Sequence, residues 1–152
     1  MKGVLCAVIA AGALMLHDSS IDAHHSNAAW VHTRTVTFTG TICVVEWTNP
    51  HSHIYLYVKH DNGQTEMWAT ELPAVNRVAK AANIADVRDL LKAGDTITIE
   101  AYPSKTSSNP EPTPSLTFGR RCSEPGANAL LRGAARELIL PDGKHLTVLD
   151  VQ

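Results

Sequence analysis

Eight histidines in 152 residues are the main source of chemistry in this sequence. His24 and His25 follow a stretch with the features of a cleavable leader, and His51 stands directly after an Asn-Pro dipeptide. An amino-terminal histidine offers two nitrogens, its imidazole and an α-amine that is partly neutral at neutral pH because its pKa is about 7.7–8. Several nitrogens in one plane suit Cu(II) or Ni(II). We therefore predict a metal site, with Cu(II) as the expected ion, formed by His24, His25 and His51.

Three further residues are candidates for a secondary ligand or a binding surface. His53 lies two positions after His51, so the two side chains share a face if a strand has begun there. Trp47 and Trp68 fall on strands that we expect to be neighbours. Plainer interpretations stay open: a solvated tail for the leading histidine pair, a turn contact for His51, an exposed position for His53, and core packing for both tryptophans.

Motifs of known enzyme classes are missing from the sequence. It contains no CxxC, no HExxH and no glycine-rich phosphate loop, and its serines lie outside nucleophile-elbow motifs. Glu46 and Glu71 could form a carboxylate pair but are interpreted as surface charges. We therefore expect a non-catalytic binding protein. The alternative function is a metal-free ligand- or protein-binding module whose surface is aromatic: Trp47, Tyr55, Tyr57 and Trp68.

Charge argues against nucleic acid as a partner. Lys and Arg number 13 against 15 Asp and Glu, which gives a formal net charge of −2. Binding that rests on phosphate neutralisation needs a clustered basic excess. Aromatic residues make up only 5% of the chain, too few for an extended stacking platform for bases. The partners that remain are a metal ion or another exported protein.

The amino terminus has the pattern of a secretory signal. Residues 3–16 form an unbroken apolar run, which is too short to cross ~30 Å of hydrocarbon comfortably at ~1.5 Å per residue. We predict cleavage after Ala23, so residues 1–23 are a signal peptide and 24–152 a single mature domain in the periplasm or outside the cell, with no stable membrane span. A buried helix is the alternative for the apolar run.

Cleavage at that point leaves two cysteines, Cys43 and Cys122. An even pair in an exported protein favours one disulfide. Two unpaired, buried small side chains are the alternative.

Strand patterns dominate the mature chain. Period-two alternation predicts strands over residues 35–47, 53–59, 64–70 and 96–102, and a final hairpin over residues 135–151. Gly40 predicts a bulge or a sharp coil in the first strand. The residues expected inside are Val36, Phe38, Ile42, Val44, Ile54, Leu56, Val58, Ile97 and Ile99.

One helical segment separates the third and fourth strands. Residues 73–91 lack strand alternation, with Asn83 interrupting the helix, Asp86 capping a second short piece and Gly94 ending it. Residues 103–133 hold five of the eight prolines and read as a long loop. A helix at this point in the strand order predicts a mainly β, small five-stranded OB-like barrel, with a β-sandwich as the alternative.

Several motifs together resemble one family. They are HHS at 24–26, EWTNPHSHIYL, MWATEL, LKAGDTITIEAYPS and LILPDGKHL. The combination resembles small exported bacterial proteins grouped as a domain of unknown function, which show AHHS, VEWxNPHxxI and GDxVTVxGYP segments. The resemblance covers about Ala23 to Tyr102, resumes near Ala134 and implies no activity. The family pattern marks His24, His25, Ser26, Trp47, Asn49, Pro50, His51, Gly94 and Asp95.

Overall fold

The computed structural model of the chain describes residues 29–105 and 127–149. Within them the elements follow in this order: β1 (Val36–Glu46), β2 (Ser52–Lys59), β3 (Thr65–Leu72), α1 (Val75–Ala82), a 3-10 turn (Val87–Asp89), β4 (Thr96–Pro103), β5 (Ala127–Ile139) and β6 (His145–Thr147).

Five of these strands close into a barrel. β1 lies between β2 and β4 and pairs antiparallel with both. On the two sides of this group, β2 pairs antiparallel with β3, and β4 pairs antiparallel with β5. Parallel pairing of β3 with β5 closes the ring, so the barrel is mixed. β6 extends β5 as a short hairpin. With its one short α-helix between β3 and β4, this is the predicted OB-like barrel, and the prediction is confirmed.

Aliphatic side chains from every strand of the ring fill the interior. The largest fully buried ones are Ile42, Ile54, Leu56, Leu72, Ile97, Ile99 and Leu138. α1 contributes Val78 and Ala82 to the same cluster, and the 3-10 turn contributes Val87. Val36 and Phe38 are partly buried and pack against it, as the alternation predicted. Burying each large aliphatic side chain is worth about 1.5–3 kcal/mol, so this cluster fixes which face of each strand points inward.

The inward position predicted for Val44 is wrong. The register of β1 against β2 shifts between Ile42 and Val44, so Cys43 is an extra residue in the strand. An extra residue reverses the alternation beyond it. Val45 therefore packs against the interior, whereas Val44 lies in a small cluster on the outer face around Tyr55. The bulge is at Cys43 and not at Gly40, where the sequence predicted it.

Gly40 serves close packing instead. A Cβ at this position would overlap Leu56 Cδ1 and lie 2.6 Å from the carbonyl oxygen of Tyr57. Any side chain here would push β1 and β2 apart. The glycine is therefore required by the approach of two strands.

The helical segment follows the sequence prediction closely. α1 ends at Ala82, because Asn83 at its C-cap has a left-handed φ of 56°. The Asp86 carboxylate accepts a hydrogen bond from the backbone N–H of Arg88 at 2.9 Å and so caps the 3-10 turn. Gly94 has the predicted left-handed backbone, with a φ of +92°, but it lies in the turn before β4, after the 3-10 turn has ended at Asp89. The stop at Asn83 and the cap at Asp86 are therefore where the sequence placed them, whereas Gly94 does not end a helix.

β5 begins at Ala127, inside the segment 103–133 that the sequence indicated as loop. Alanine, asparagine and glycine give this stretch little intrinsic strand preference. β3 and β4 pair with it on its two sides, and these tertiary hydrogen bonds override the weak local preference.

Replacing Gly40 with alanine tests the close approach of β1 and β2. Overpacking of this kind should lower the free energy of unfolding by about 2–3 kcal/mol. Thr37→Ala on the exposed face of the same strand is the control and should cost under about 1 kcal/mol. Urea unfolding of the two variants and the unchanged protein gives the comparison. Equal losses in both variants would contradict the packing role of Gly40.

Candidate functional site

The loop between β1 and β2 is braced by its own side chains. The Ser52 hydroxyl donates to the carbonyl oxygen of Thr48 at 3.0 Å and accepts from the Thr48 backbone N–H at 3.2 Å. The Thr48 hydroxyl donates to the carbonyl oxygen of His51 at 2.5 Å. The Asn49–Pro50 peptide bond is cis. Ser52 is fully buried, so these bonds hold the backbone around His51 in one arrangement.

Asn49 ties this loop to the helix. Its side-chain oxygen accepts a hydrogen bond from the backbone N–H of Val75, the first residue of α1, at 3.1 Å. The N-cap residue of α1 is Ala74, which makes no side-chain cap. The first N–H groups of a helix lack partners within it. Asn49 supplies one from a distant part of the chain, and the loop and α1 are thereby fixed to each other.

The side chain of His51 extends from this loop toward β3. Its Nδ1 lies 2.7 Å from Oε1 of Glu71, and the two side chains are 40% and 21% exposed. Neutral imidazole carries one N–H and one lone pair. When Nδ1 donates to the carboxylate, the lone pair stands on Nε2. The contact therefore prepares His51 as an Nε2 ligand or proton acceptor that solvent can reach.

His53 stands between two carboxylates in a row across three strands. The register places it opposite Glu46 of β1 and opposite Glu71 of β3. Directly opposed residues have Cβ atoms about 4.5–5.5 Å apart. Burial lowers the pKa of His53, against the opposing influence of Glu71 and Glu46, while the charges of His51 and Arg132 lower it further. Neutral imidazole is the form that binds metal ions.

An apolar cluster on the outer face adjoins this row. The His53 ring stacks on Tyr55, with centroids 6.1 Å apart and ring planes 20° from parallel. Tyr55 and Ala69 are buried, and Val44 and Met67 pack against them half-buried. The row of carboxylates and imidazole is thus bordered by an apolar surface, which contributes to the burial of His53.

Cys43, in the bulge of β1, belongs to the same outer cluster and is disulfide-bonded. The Tyr57 hydroxyl donates to its sulfur at 3.4 Å. Cys122, the predicted partner, lies outside the described residues, so the pairing of Cys43 with Cys122 stays a prediction.

The predicted aromatic surface does not form. Trp68 is only 7% exposed and stacks on Phe38 inside the barrel, with ring centroids 4.1 Å apart. Trp47 packs half-buried against the same interior. Tyr55 and Tyr57 lie on the other side of the sheet, because they alternate with the inward residues of β2. The two tryptophans therefore pack the core, and the prediction that Trp68 is a surface ligand is wrong.

The predicted metal ligands are tested by the structure only in part. His24 and His25 lie outside the described residues. Within 29–105 and 127–149, no three or more His, Cys, Asp or Glu side chains are grouped to hold a metal ion. His51 and His53 do lie beside Glu46 and Glu71, although the sequence predicts both glutamates to be surface charges. The position of both glutamates next to a strand end was the available signal, but it becomes informative only once the register is known.

Comparisons with known proteins give a family and no activity. The sequence model of a "Family of unknown function (DUF6152)" matches residues 13–111. No curated protein matches the sequence. A crystal structure assigned to an aspartyl-tRNA synthetase from Leishmania major Friedlin aligns with 9% identity and a TM-score of 0.35, covering 97% of this chain and 26% of that one. A likeness this weak supports no conclusion. No helix in the described part of the chain has the length and apolar character needed to cross a membrane.

The lowered pKa of His53 predicts how stability depends on pH. The unfolded chain takes up a proton at this position more readily than the folded chain, so acid favours unfolding. In metal-free protein the contribution is complete above the unfolded pKa of about 6.5 and is lost as pH falls below it. Replacing His53 with asparagine should flatten the decline in the free energy of unfolding between about pH 7.5 and about pH 5. Denaturant unfolding at several pH values measures it, and an unchanged decline would contradict the role of His53.

Proposed function

We propose that this chain, which belongs to a family of unknown function, is an exported, non-catalytic protein that binds a transition-metal ion, foremost Cu(II), at the His51 end of its barrel. His51 supplies one imidazole nitrogen. His24 and His25 supply the others, together with the α-amine that cleavage after Ala23 would expose. Periplasmic or extracellular location belongs to the same proposal and rests on the signal-like pattern of residues 1–23.

The observation that carries the proposal is the short contact between Nδ1 of His51 and Oε1 of Glu71. Histidines that bind metal ions in proteins commonly donate their second ring N–H to a carboxylate, which fixes the tautomer and makes the free nitrogen more basic. The Nδ1 to Oε1 distance of 2.7 Å fits this arrangement. Nε2 of His51 is then the nitrogen that faces the ion.

Carboxylate contacts occur at other histidines too, so the surroundings of His51 matter. Nε2 of His60 lies 3.1 Å from Oε2 of Glu66, and Nδ1 of His145 lies 2.8 Å from Oε1 of Glu137. His51 differs from both because a second imidazole, that of His53, stands next to the same carboxylate. Glu71 therefore has two imidazoles beside it that could bind a metal ion, whereas Glu66 and Glu137 each contact one.

Position and charge support a cation at this face. In OB barrels the face of β2 and β3 and the loop between β1 and β2 are the usual binding surface. His51 lies in that loop and His53 at the start of β2. Two carboxylates, Glu46 and Glu71, act on His53 against one guanidinium, that of Arg132, and this excess of negative charge favours a cation over phosphate. Cu(II) is preferred over hard cations because the nitrogens of imidazole and amine are its favoured donors.

A copper titration of four proteins tests the proposal. They are the chain beginning at His24, the same chain with one extra amino-terminal residue, and the variants His51→Gln and His60→Gln of the chain beginning at His24. The extra residue displaces the terminal amine but keeps every side chain. The extended chain and His51→Gln should each bind Cu(II) at least about tenfold more weakly, which corresponds to ~1.4 kcal/mol. His60→Gln should bind as the unchanged chain does.

His60 is the matched control because it is 41% exposed, close to the 40% of His51, and also contacts a carboxylate. Equal affinities in all four proteins would overturn the proposal, as would binding no tighter than that of an unfolded peptide containing histidine. The metal-free ligand- or protein-binding module would then be the better interpretation.

A further inference from the structure

A pocket apart from the His51 site opens beside the start of β1. The segment before β1, the end of β4, the bulged part of β5 and the residues at and after β6 form its wall, and it holds about 400 Å³. The residues that matter for its chemistry are His32, Arg34, Thr35, Tyr102, Arg136 and Thr147. Small-molecule sites in proteins span roughly 300–1,000 Å³, so the pocket has the size of a binding site for a small compound.

Positive charge exceeds negative charge at this pocket. Arg136 donates from Nη1 to both carboxylate oxygens of Glu100, each at 2.9 Å. Among the residues that the structure describes, the Arg34 guanidinium has no ion-pair or hydrogen-bond partner, and none of those lining the pocket is Asp or Glu. Two guanidinium groups thus stand against the single carboxylate that binds Arg136, in a protein whose formal net charge is −2. This local excess favours an anion.

Neutral groups complete the lining. The hydroxyls of Thr35 and Thr147 can donate to an oxygen atom of a ligand. Tyr102 forms part of the wall, and its ring lies 4.9 Å from the His32 ring, centroid to centroid. A planar guanidinium binds carboxylate or phosphate through two parallel N–H groups. The combination suits a ligand with an oxyanion at one end and a small organic part against the aromatic wall.

We propose that this pocket binds a small organic oxyanion, a carboxylate or a phosphate ester, with Arg34 as its principal contact. Arg136 is held in place by Glu100 and turns its remaining N–H groups to the same ligand. Among the described residues, the pocket shares none with the metal site. Since no described residue pairs with Arg34, its replacement removes the anion contact without breaking an ion pair or hydrogen bond within the described fold.

Calorimetric titration with inorganic phosphate and, separately, with succinate tests this pocket. The proteins are the unchanged chain, Arg34→Gln and Arg77→Gln, all at one fixed ionic strength because salt screens surface charges. At least one of the two anions should bind saturably to the unchanged chain and about tenfold more weakly to Arg34→Gln. Arg77 is exposed on α1 and its loss changes the net charge equally, so Arg77→Gln should bind as the unchanged chain does.

Comparison of the two anions identifies the source of the oxyanion, since tighter succinate indicates a carboxylate and tighter phosphate a phosphate ester. Thermal melting of Arg34→Gln should match the unchanged chain and shows that the fold is intact. Absence of saturable binding for both anions would overturn the proposal. So would equal weakening in Arg34→Gln and Arg77→Gln, because that result describes diffuse attraction by surface charge.

Discussion

The register of β2 between β1 and β3 is the constraint on which the rest of this site depends. It brings Glu46 and Glu71 to the two sides of His53. The inward side chains of β2 hold that register, since Ile54 and Leu56 are fully buried and Val58 nearly so. A slip by one residue would turn them to solvent and bring His53, Tyr55 and Tyr57 into the barrel. At about 1.5–3 kcal/mol for each large side chain, the interior fixes the site.

Hydrogen bonds within the β1–β2 loop fix the position of His51, which the strand register alone does not. His51 lies just before β2, where no strand pairing holds it. Ser52 and Thr48 bond across the loop, and Asn49 joins it to the start of α1. The same few residues thus cap a helix, form a turn and direct an imidazole toward Glu71. Two elements far apart in sequence, the β1–β2 loop and α1, are made one rigid support for that imidazole.

Much of the fold could be predicted because its signals are local. Alternation located β1 to β4, and Asn83 and Asp86 marked the stop and the cap of the helical segment. The bulge at Cys43 was not predicted, because Val44 and Val45 are both apolar and so conceal the reversal of the alternation. β5 was missed at its start, since its pairing with β3 and β4 is tertiary. The candidate site also combines a local signal with a tertiary one. The histidines stand out in the sequence, whereas the contact of His51 with Glu71 depends on strand register.

Direct coordination by His51 is the central claim, and pulsed electron paramagnetic resonance of the Cu(II)-loaded chain beginning at His24 tests it most directly. Nitrogen couplings in such spectra report the imidazoles bound to the ion. If His51 binds the ion, His51→Gln removes one imidazole coupling and His60→Gln leaves the spectrum unchanged. Identical spectra for the unchanged chain and His51→Gln would contradict it, because the ion would then be held without the barrel.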